Sequence, residues 1–80
     1  MKAVIRITLK NGVLDPQGKA IETALGQLGF SGVDDVRQGK LVELSLAETD
    51  PEKARQQLTQ ICEKLLANTV IENYDIELVS

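Results

Sequence analysis

Two Asp-Pro pairs, Asp15-Pro16 and Asp50-Pro51, stand 35 residues apart in a chain of 80. Each reads as a helix start. The carboxylate can accept the orphan amides of a first turn, and proline fits the first helical position because its missing N–H has no partner there anyway. The residues ahead of each pair alternate with the two-residue period of a strand, and those after it recur with the period of a helix. The order is therefore strand, helix, strand, helix, strand, in two similar halves that share the middle strand. No linker divides them, so residues 1–80 are expected to form one domain.

Ala3, Ile5, Ile7 and Leu9 alternate with Lys2, Val4, Arg6, Thr8 and Lys10, and Asn11-Gly12 breaks that strand. Ile21, Ala24, Leu25 and Leu28 give a first helix over about residues 17–28, with Gly29 as its left-handed stop. From Val33 to Ala47 the period is again two, with Val36, Val42, Leu44 and Leu46 in phase across Gly39. That phase favours one long, bent middle strand over a hairpin turn at the glycine. Ala54, Leu58, Ile61, Cys62, Leu65 and Leu66 trace one face of a second helix ending near Asn68, and Val70–Val79 alternates as a last strand. The expected fold is an α+β two-layer sandwich with two helices on one face of the sheet. A four-stranded ferredoxin-like βαββαβ variant follows if Gly39 turns a hairpin.

A chain of 80 residues buries only about 60 to 65 % of the surface it exposes unfolded, so association with copies of itself or a larger partner is expected. Twelve acidic residues stand against nine basic ones, with no histidine and a net charge of -3, which leaves no basic field for phosphate backbones. One Phe, one Tyr and no Trp leave no stacking platform for bases. Nucleic acid is not an expected partner. The single cysteine, Cys62, forms no internal disulfide and suits a reducing cytoplasm. No apolar stretch has signal-peptide or membrane-spanning length, so a soluble, cytoplasmic protein is expected.

Each search for chemistry in this chain fails for a physical reason. Without histidine the usual near-neutral proton carrier is missing. Asp34 and Asp35, adjacent on an extended segment, would point to opposite faces and read as a solvated turn. Cys62 lies in phase with the apolar stripe of the second helix and reads as an inert core residue. Gly26, Gly29 and Gly32 close a helix instead of opening one, so they aim no helix N-terminus at a phosphate. No catalytic residue, cofactor site or metal site is expected. Arg37-Gln38-Gly39-Lys40, two cations flanking a glycine, reads either as a solvated bend or as a contact surface.

The run VLDPQGKAIETALGQLGF, Val13 to Phe30, followed by VDDVRQGKLVEL, Val33 to Leu44, resembles the PurS family of small subunits of phosphoribosylformylglycinamidine (FGAM) synthase. The shared pattern is an Asp-Pro-x-Gly helix start, a Leu-Gly helix end and an Arg-x-Gly-Lys strand. The resemblance implies a non-catalytic, cytoplasmic subunit of a purine-biosynthetic ligase. Such a subunit, a dimer or tetramer, bridges a PurL-type synthetase subunit, which uses ATP and Mg, and a PurQ-type glutaminase, and supports ammonia passage between them. Matching positions are Asp15, Pro16, Gly18, Leu28 and Gly29 as structural markers, with Arg37, Gly39 and Lys40 as interface candidates. Beyond Ala47 the chain carries only generic helix and strand patterning. A second reading is a small ferredoxin-like regulatory domain that senses an anionic metabolite near Arg37 and Lys40.

Overall fold

The computed structural model describes residues 1–79. Three antiparallel strands, β1 (Lys2–Leu9), β2 (Gly39–Ser45) and β3 (Glu72–Val79), form a sheet in the order β2-β1-β3. Helix α1 (Pro16–Gln27) links β1 to β2, and α2 (Pro51–Ile61) leads on toward β3. The α+β class and the strand-helix alternation are those expected, in a ferredoxin-like arrangement.

The alternation of β1 explains the core. Opposed residues of antiparallel strands share a face, so Ala3 lies between Leu44 and Leu78, Ile5 between Val42 and Ile76, and Ile7 between Lys40 and Tyr74. Ala54, Leu58 and Cys62 recur at every fourth residue and lie over this apolar face, fully buried with Ala3 and Ile5. The opposite face carries Lys2, Arg6, Glu43, Asp75 and Glu77, and there Arg6 meets Glu77 at 2.8 Å and Asp75 at 3.7 Å. Among the described residues, both sheet edges, β2 and β3, are open.

α2 widens into a π-helical turn, Cys62–Leu66, closed by the Ala67 N–H donating to the Cys62 carbonyl at 3.0 Å. The wider turn keeps Cys62 and Ala67 both buried while Leu65 points out. The helix thus ends on Ala67, one residue before the expected Asn68, whose side chain instead accepts the Val70 N–H in the following turn.

Two expectations are corrected. The middle strand is not long and bent: it begins at Gly39, and residues 33–38 are irregular, with Asp35 at a positive φ of 53°. Gly39 is neither an internal bulge nor a hairpin turn. It opens β2 where β1 passes so closely that a Cβ would stand 2.5 Å from the Ile7 carbonyl oxygen. The α+β layering stands, and the second correction concerns only the placement of α1, since of the two helices only α2 lies on the sheet. α2 packs toward β3, whereas α1 buries only Gly18 and leaves the β2 side of the apolar face without a helix.

The dimensions agree. The radius of gyration is 16.0 Å, against about 12 Å for an ordinary compact chain of this length. The longest axis is 49 Å. An eight-residue strand spans about 26 Å and a twelve-residue helix about 18 Å, so that axis requires α1 to extend beyond the sheet. Residues 10–38 form an arm.

Candidate interaction site at the root of the arm

The arm is fixed at its root by Asp15, a residue that its side-chain chemistry suits for two acceptances at once. Oδ1 accepts the Gly18 N–H at 2.9 Å, the N-cap bond expected of an Asp-Pro helix start. Oδ2 accepts the Gln38 N–H at 2.7 Å, which ties the start of α1 to the segment that returns to β2. Asp15 as a whole is 6 % exposed. These amides, the Gln38 bond foremost, hold the Asp15 carboxyl below the ordinary aspartate value, with a smaller contribution from the Arg37 guanidinium.

Gly18 lets the returning segment close on the helix. A Cβ there would collide with the Val36 carbonyl oxygen and crowd the Asp15 carboxylate. The helix start of the Asp-Pro-x-Gly pattern is thus a backbone-to-backbone contact. Leu28 and Gly29 mark the far end of the arm, where Leu28 is 73 % exposed and Gly29 takes a φ of +94° that stops the helix.

Arg37 and Lys40 both lie at the root, and both have local partners. The Arg37 guanidinium donates to the Lys10 carbonyl at 3.3 Å. Lys40 Nζ meets a Glu72 carboxylate oxygen at 3.3 Å across the end of β1, because Lys40 lies opposite Ile7 and Glu72 opposite Leu9 on one face. The other Glu72 oxygen accepts the Asn68 N–H at 2.7 Å. That amide, and then Lys40, hold Glu72 below the usual glutamate value. A cleft of about 320 Å³ lies here among Ile7, Asp15, Pro16, Gln38, Lys40 and Glu72.

Of the positions singled out in the sequence, Asp15, Pro16, Gly18, Arg37, Gly39 and Lys40 converge at the arm's root, while Leu28 and Gly29 stand apart at its tip. Gln38 belongs to the Arg37-Gln38-Gly39-Lys40 cluster read in the sequence, but its tie to Asp15 and the part played by Glu72 are not legible there. Gln38 contributes a backbone N–H, which no side-chain pattern reveals, and Glu72 becomes Lys40's partner only through the β1–β3 register. Among the described residues, no three His, Cys, Asp or Glu side chains gather in a way that could hold a metal ion. Cys62 is buried, and desolvation foremost raises its thiol pKa.

The arrangement offers shape and apolar surface, with Leu14, Ile21, Leu28, Phe30 and Val33 all exposed along the arm. The same arrangement occurs in known proteins. A family model described as PurS, phosphoribosylformylglycinamidine (FGAM) synthase, matches residues 2–80. The phosphoribosylformylglycinamidine synthase subunit PurS of Synechocystis is 51 % identical over 76 residues, covering 95 % of this chain and 76 % of that one. The solved PurS of Bacillus subtilis superposes with a TM-score of 0.88 at 43 % identity, covering 99 % of this chain and 98 % of its own. A chain in the structure of PurLQS from Thermotoga maritima gives a TM-score of 0.88 at 32 % identity, with coverages of 98 % and 95 %. With its family shown over nearly every residue and its fold shared with solved members, the chain belongs to the PurS family, the small subunits of the purine-biosynthetic ligase FGAM synthase.

Proposed function

We propose that this chain bridges the synthetase and glutaminase subunits of FGAM synthase in the cytoplasm, as a homodimer or homotetramer, and supports the passage of ammonia from one to the other. One observation carries the reading: a chain of this family leaves an apolar arm without cover, and the likeness extends to a chain of the Thermotoga PurLQS structure. Exposed apolar surface of this kind marks an interaction site. In this reading the chain supplies no catalytic group or cofactor, and ATP with Mg²⁺ is used by the synthetase subunit. Arg37, Gly39 and Lys40, at the root of the arm, form part of the contact surface.

The metabolite-sensing alternative has less support. Lys40 is already opposite Glu72 and Arg37 already donates to a carbonyl, so neither cation is held in reserve for an anion.

Reconstitution tests the proposal. Synthetase and glutaminase should make FGAM poorly from glutamine without this chain and well when it is added, while ammonium salts should support synthesis either way. Equal glutamine-dependent rates with and without the chain would remove the bridging role.

A further inference from the structure

Asn11-Gly12 ends β1 and begins the arm, and neither residue has a part in the proposed function. The Val13 N–H donates to the Lys10 carbonyl at 3.1 Å, closing a four-residue turn whose third member, Gly12, takes a φ of +86°. Space does not demand glycine there, since a Cβ would meet nothing within 4 Å. The backbone conformation does. The same Lys10 carbonyl accepts the Arg37 guanidinium at 3.3 Å, and the Lys10 N–H donates to the Ile71 carbonyl at 2.8 Å. Lys10 thus ties this joint both to the returning end of the arm and to the foot of β3.

An asparagine followed by glycine is chemically exposed in a way that other asparagines are not. The next main-chain nitrogen can attack the side-chain Cγ, and any residue but glycine crowds that approach with its Cβ. Here both atoms are open to it. Asn11 and Gly12 are exposed, and among the described residues neither the Gly12 N–H nor the Asn11 side chain makes a hydrogen bond. The chain's other two asparagines are exposed as well and serve as internal comparisons. Asn68 precedes the β-branched Thr69, and its Oδ1 accepts the Val70 N–H at 3.2 Å. Asn73 lies in β3 opposite Thr8 and precedes Tyr74, so the ladder holds its backbone extended and a bulky residue follows.

We propose that Asn11 is a site of spontaneous modification in the native chain, converting to isoaspartate and aspartate through a cyclic imide with Gly12, and that the isoaspartate form undoes the joint of the arm. The Gly12 nitrogen gives its proton to hydroxide and attacks Asn11 Cγ. The N–Cγ bond forms, the Cγ–Nδ2 bond breaks, and the side-chain nitrogen leaves as ammonia with a proton from water, which restores the hydroxide. Water then opens the imide. Cleavage of the new N–Cγ bond leaves aspartate, whereas cleavage of the original bond from Gly12 nitrogen to the Asn11 carbonyl carbon leaves isoaspartate. The sum is asparagine and water giving a carboxyl residue and ammonia, with nothing oxidised or reduced. Isoaspartate routes the main chain through Cβ and Cγ, so the ring closed by the 3.1 Å bond from Val13 to Lys10 gains an extra carbon. Either product adds one negative charge to a chain already at -3. Because the attacking nitrogen must lose its proton, the conversion speeds up as pH rises. The reaction needs neither synthetase nor glutaminase, so it stands or falls apart from the proposed function.

The full-length folded chain is held at physiological temperature at neutral and at mildly alkaline pH and sampled by peptide mapping. Isoaspartyl methyltransferase with a labelled methyl donor is the probe for isoaspartate. A new carboxyl is expected at residue 11 ahead of Asn68 and Asn73, sooner at the higher pH, with isoaspartate among the products. Conversion first at Asn68 or Asn73 overturns the site, as does a folded chain that stays unmodified at residue 11 while a urea-unfolded sample converts there. Asn11→Gln, which keeps the amide on a longer side chain, should keep the fold and lose the methyl label at that position, and retained label there would also overturn it. Amide exchange reads the effect on the joint. In the isoaspartate fraction, separated by ion exchange, the Val13 N–H should lose its protection, whereas Asn11→Asp, which adds the charge without lengthening the main chain, should retain it. Equal Val13 protection in the isoaspartate fraction and the unmodified chain would overturn the claim that the modification undoes the joint.

Discussion

Asp15 and Gln38, 23 positions apart, are joined by a 2.7 Å bond from the Gln38 amide to the Asp15 carboxylate, and this bond ties the start of α1 to the segment that returns to β2 at the root of the arm, residues 10–38. The same carboxylate caps α1, so one side chain couples the start of a helix to the start of a strand. Losing it should loosen both.

The first prediction concerns pH. Asp15 and Glu72 both titrate below their ordinary values of 3.8 and 4.5 in the folded chain. The unfolded chain therefore binds protons first, and the stability these groups contribute is present above those values and is lost as pH falls through the lower folded ones. Asp15→Asn removes one of the two. Its unfolding midpoint in urea should lie below the wild type's at pH 7, and the gap should narrow as the pH is lowered below about 4. A gap that is constant with pH would show that the charge plays no part.

The second prediction reverses a usual rule. Replacing a helical glycine by alanine ordinarily stabilises by about 1 kcal/mol. At Gly18 the new methyl would strike the Val36 carbonyl oxygen, which is backbone and yields poorly. Gly18→Ala should destabilise by about 1 to 3 kcal/mol, the range of overpacked sites. Gly26, with nothing near its Cβ position and a helical setting, should behave in the ordinary way and gain from alanine. Denaturant melts of the two variants provide the comparison, and a stabilised Gly18→Ala would contradict the close approach.

Much of this fold is legible in the sequence, and the illegible remainder has a common cause. Asp50-Pro51 and Asp15-Pro16 announce their helices because capping and proline chemistry act within a few residues, and Ile5 announces a buried strand because its neighbours alternate. Residues 33–38 mislead: Val36 keeps the phase of a strand, yet its carbonyl is needed against Gly18, so the segment follows the helix instead of the sheet. The stripe on α1 misleads in the same way. Ile21, Leu25 and Leu28 have the spacing of a helix packed on a core, and spacing alone says nothing about whose core. Glu72 was invisible as Lys40's partner because the two stand 32 positions apart and meet only through the strand register.

Cys62 gives a third prediction. It is fully buried against the β1 face, and burial raises its thiol pKa, so the reactive thiolate is scarce as well as shielded. Aromatic disulfide reagents should modify it slowly in the native chain and quickly in denaturant. Cys62→Ala should destabilise by about 1 to 2 kcal/mol, scaled down from larger core truncations. Cys62→Ser should be worse, because a buried hydroxyl without a partner adds a desolvation penalty. Activity of the reconstituted enzyme should be unchanged in the folded fraction, and a loss of turnover at unchanged stability would reveal a chemical role.

The fourth prediction separates structure from contact at the arm's root. Arg37 and Lys40 are exposed and engaged locally, by the Lys10 carbonyl and by Glu72. Their local bonds lie at the surface, where such pairs contribute little, so replacing both by Ala should leave the chain folded. If the root also meets a partner subunit, the same charges become desolvated there, and each contact is worth about 1.5 to 3 kcal/mol, or roughly tenfold or more in affinity. The double variant should therefore bind its partner subunits at least tenfold more weakly at near wild-type stability. Synthesis from glutamine should fall more than synthesis from free ammonia, because ammonia added to the solution does not depend on the bridge. Lys40→Ala alone strips the cation from Glu72, so its effect on stability must be measured separately, and Glu72→Gln supplies the control that removes the pair without removing Lys40. Wild-type assembly and glutamine-dependent rates in the double variant would restrict Arg37 and Lys40 to closing the end of the sheet and move the partner contact to another part of the chain.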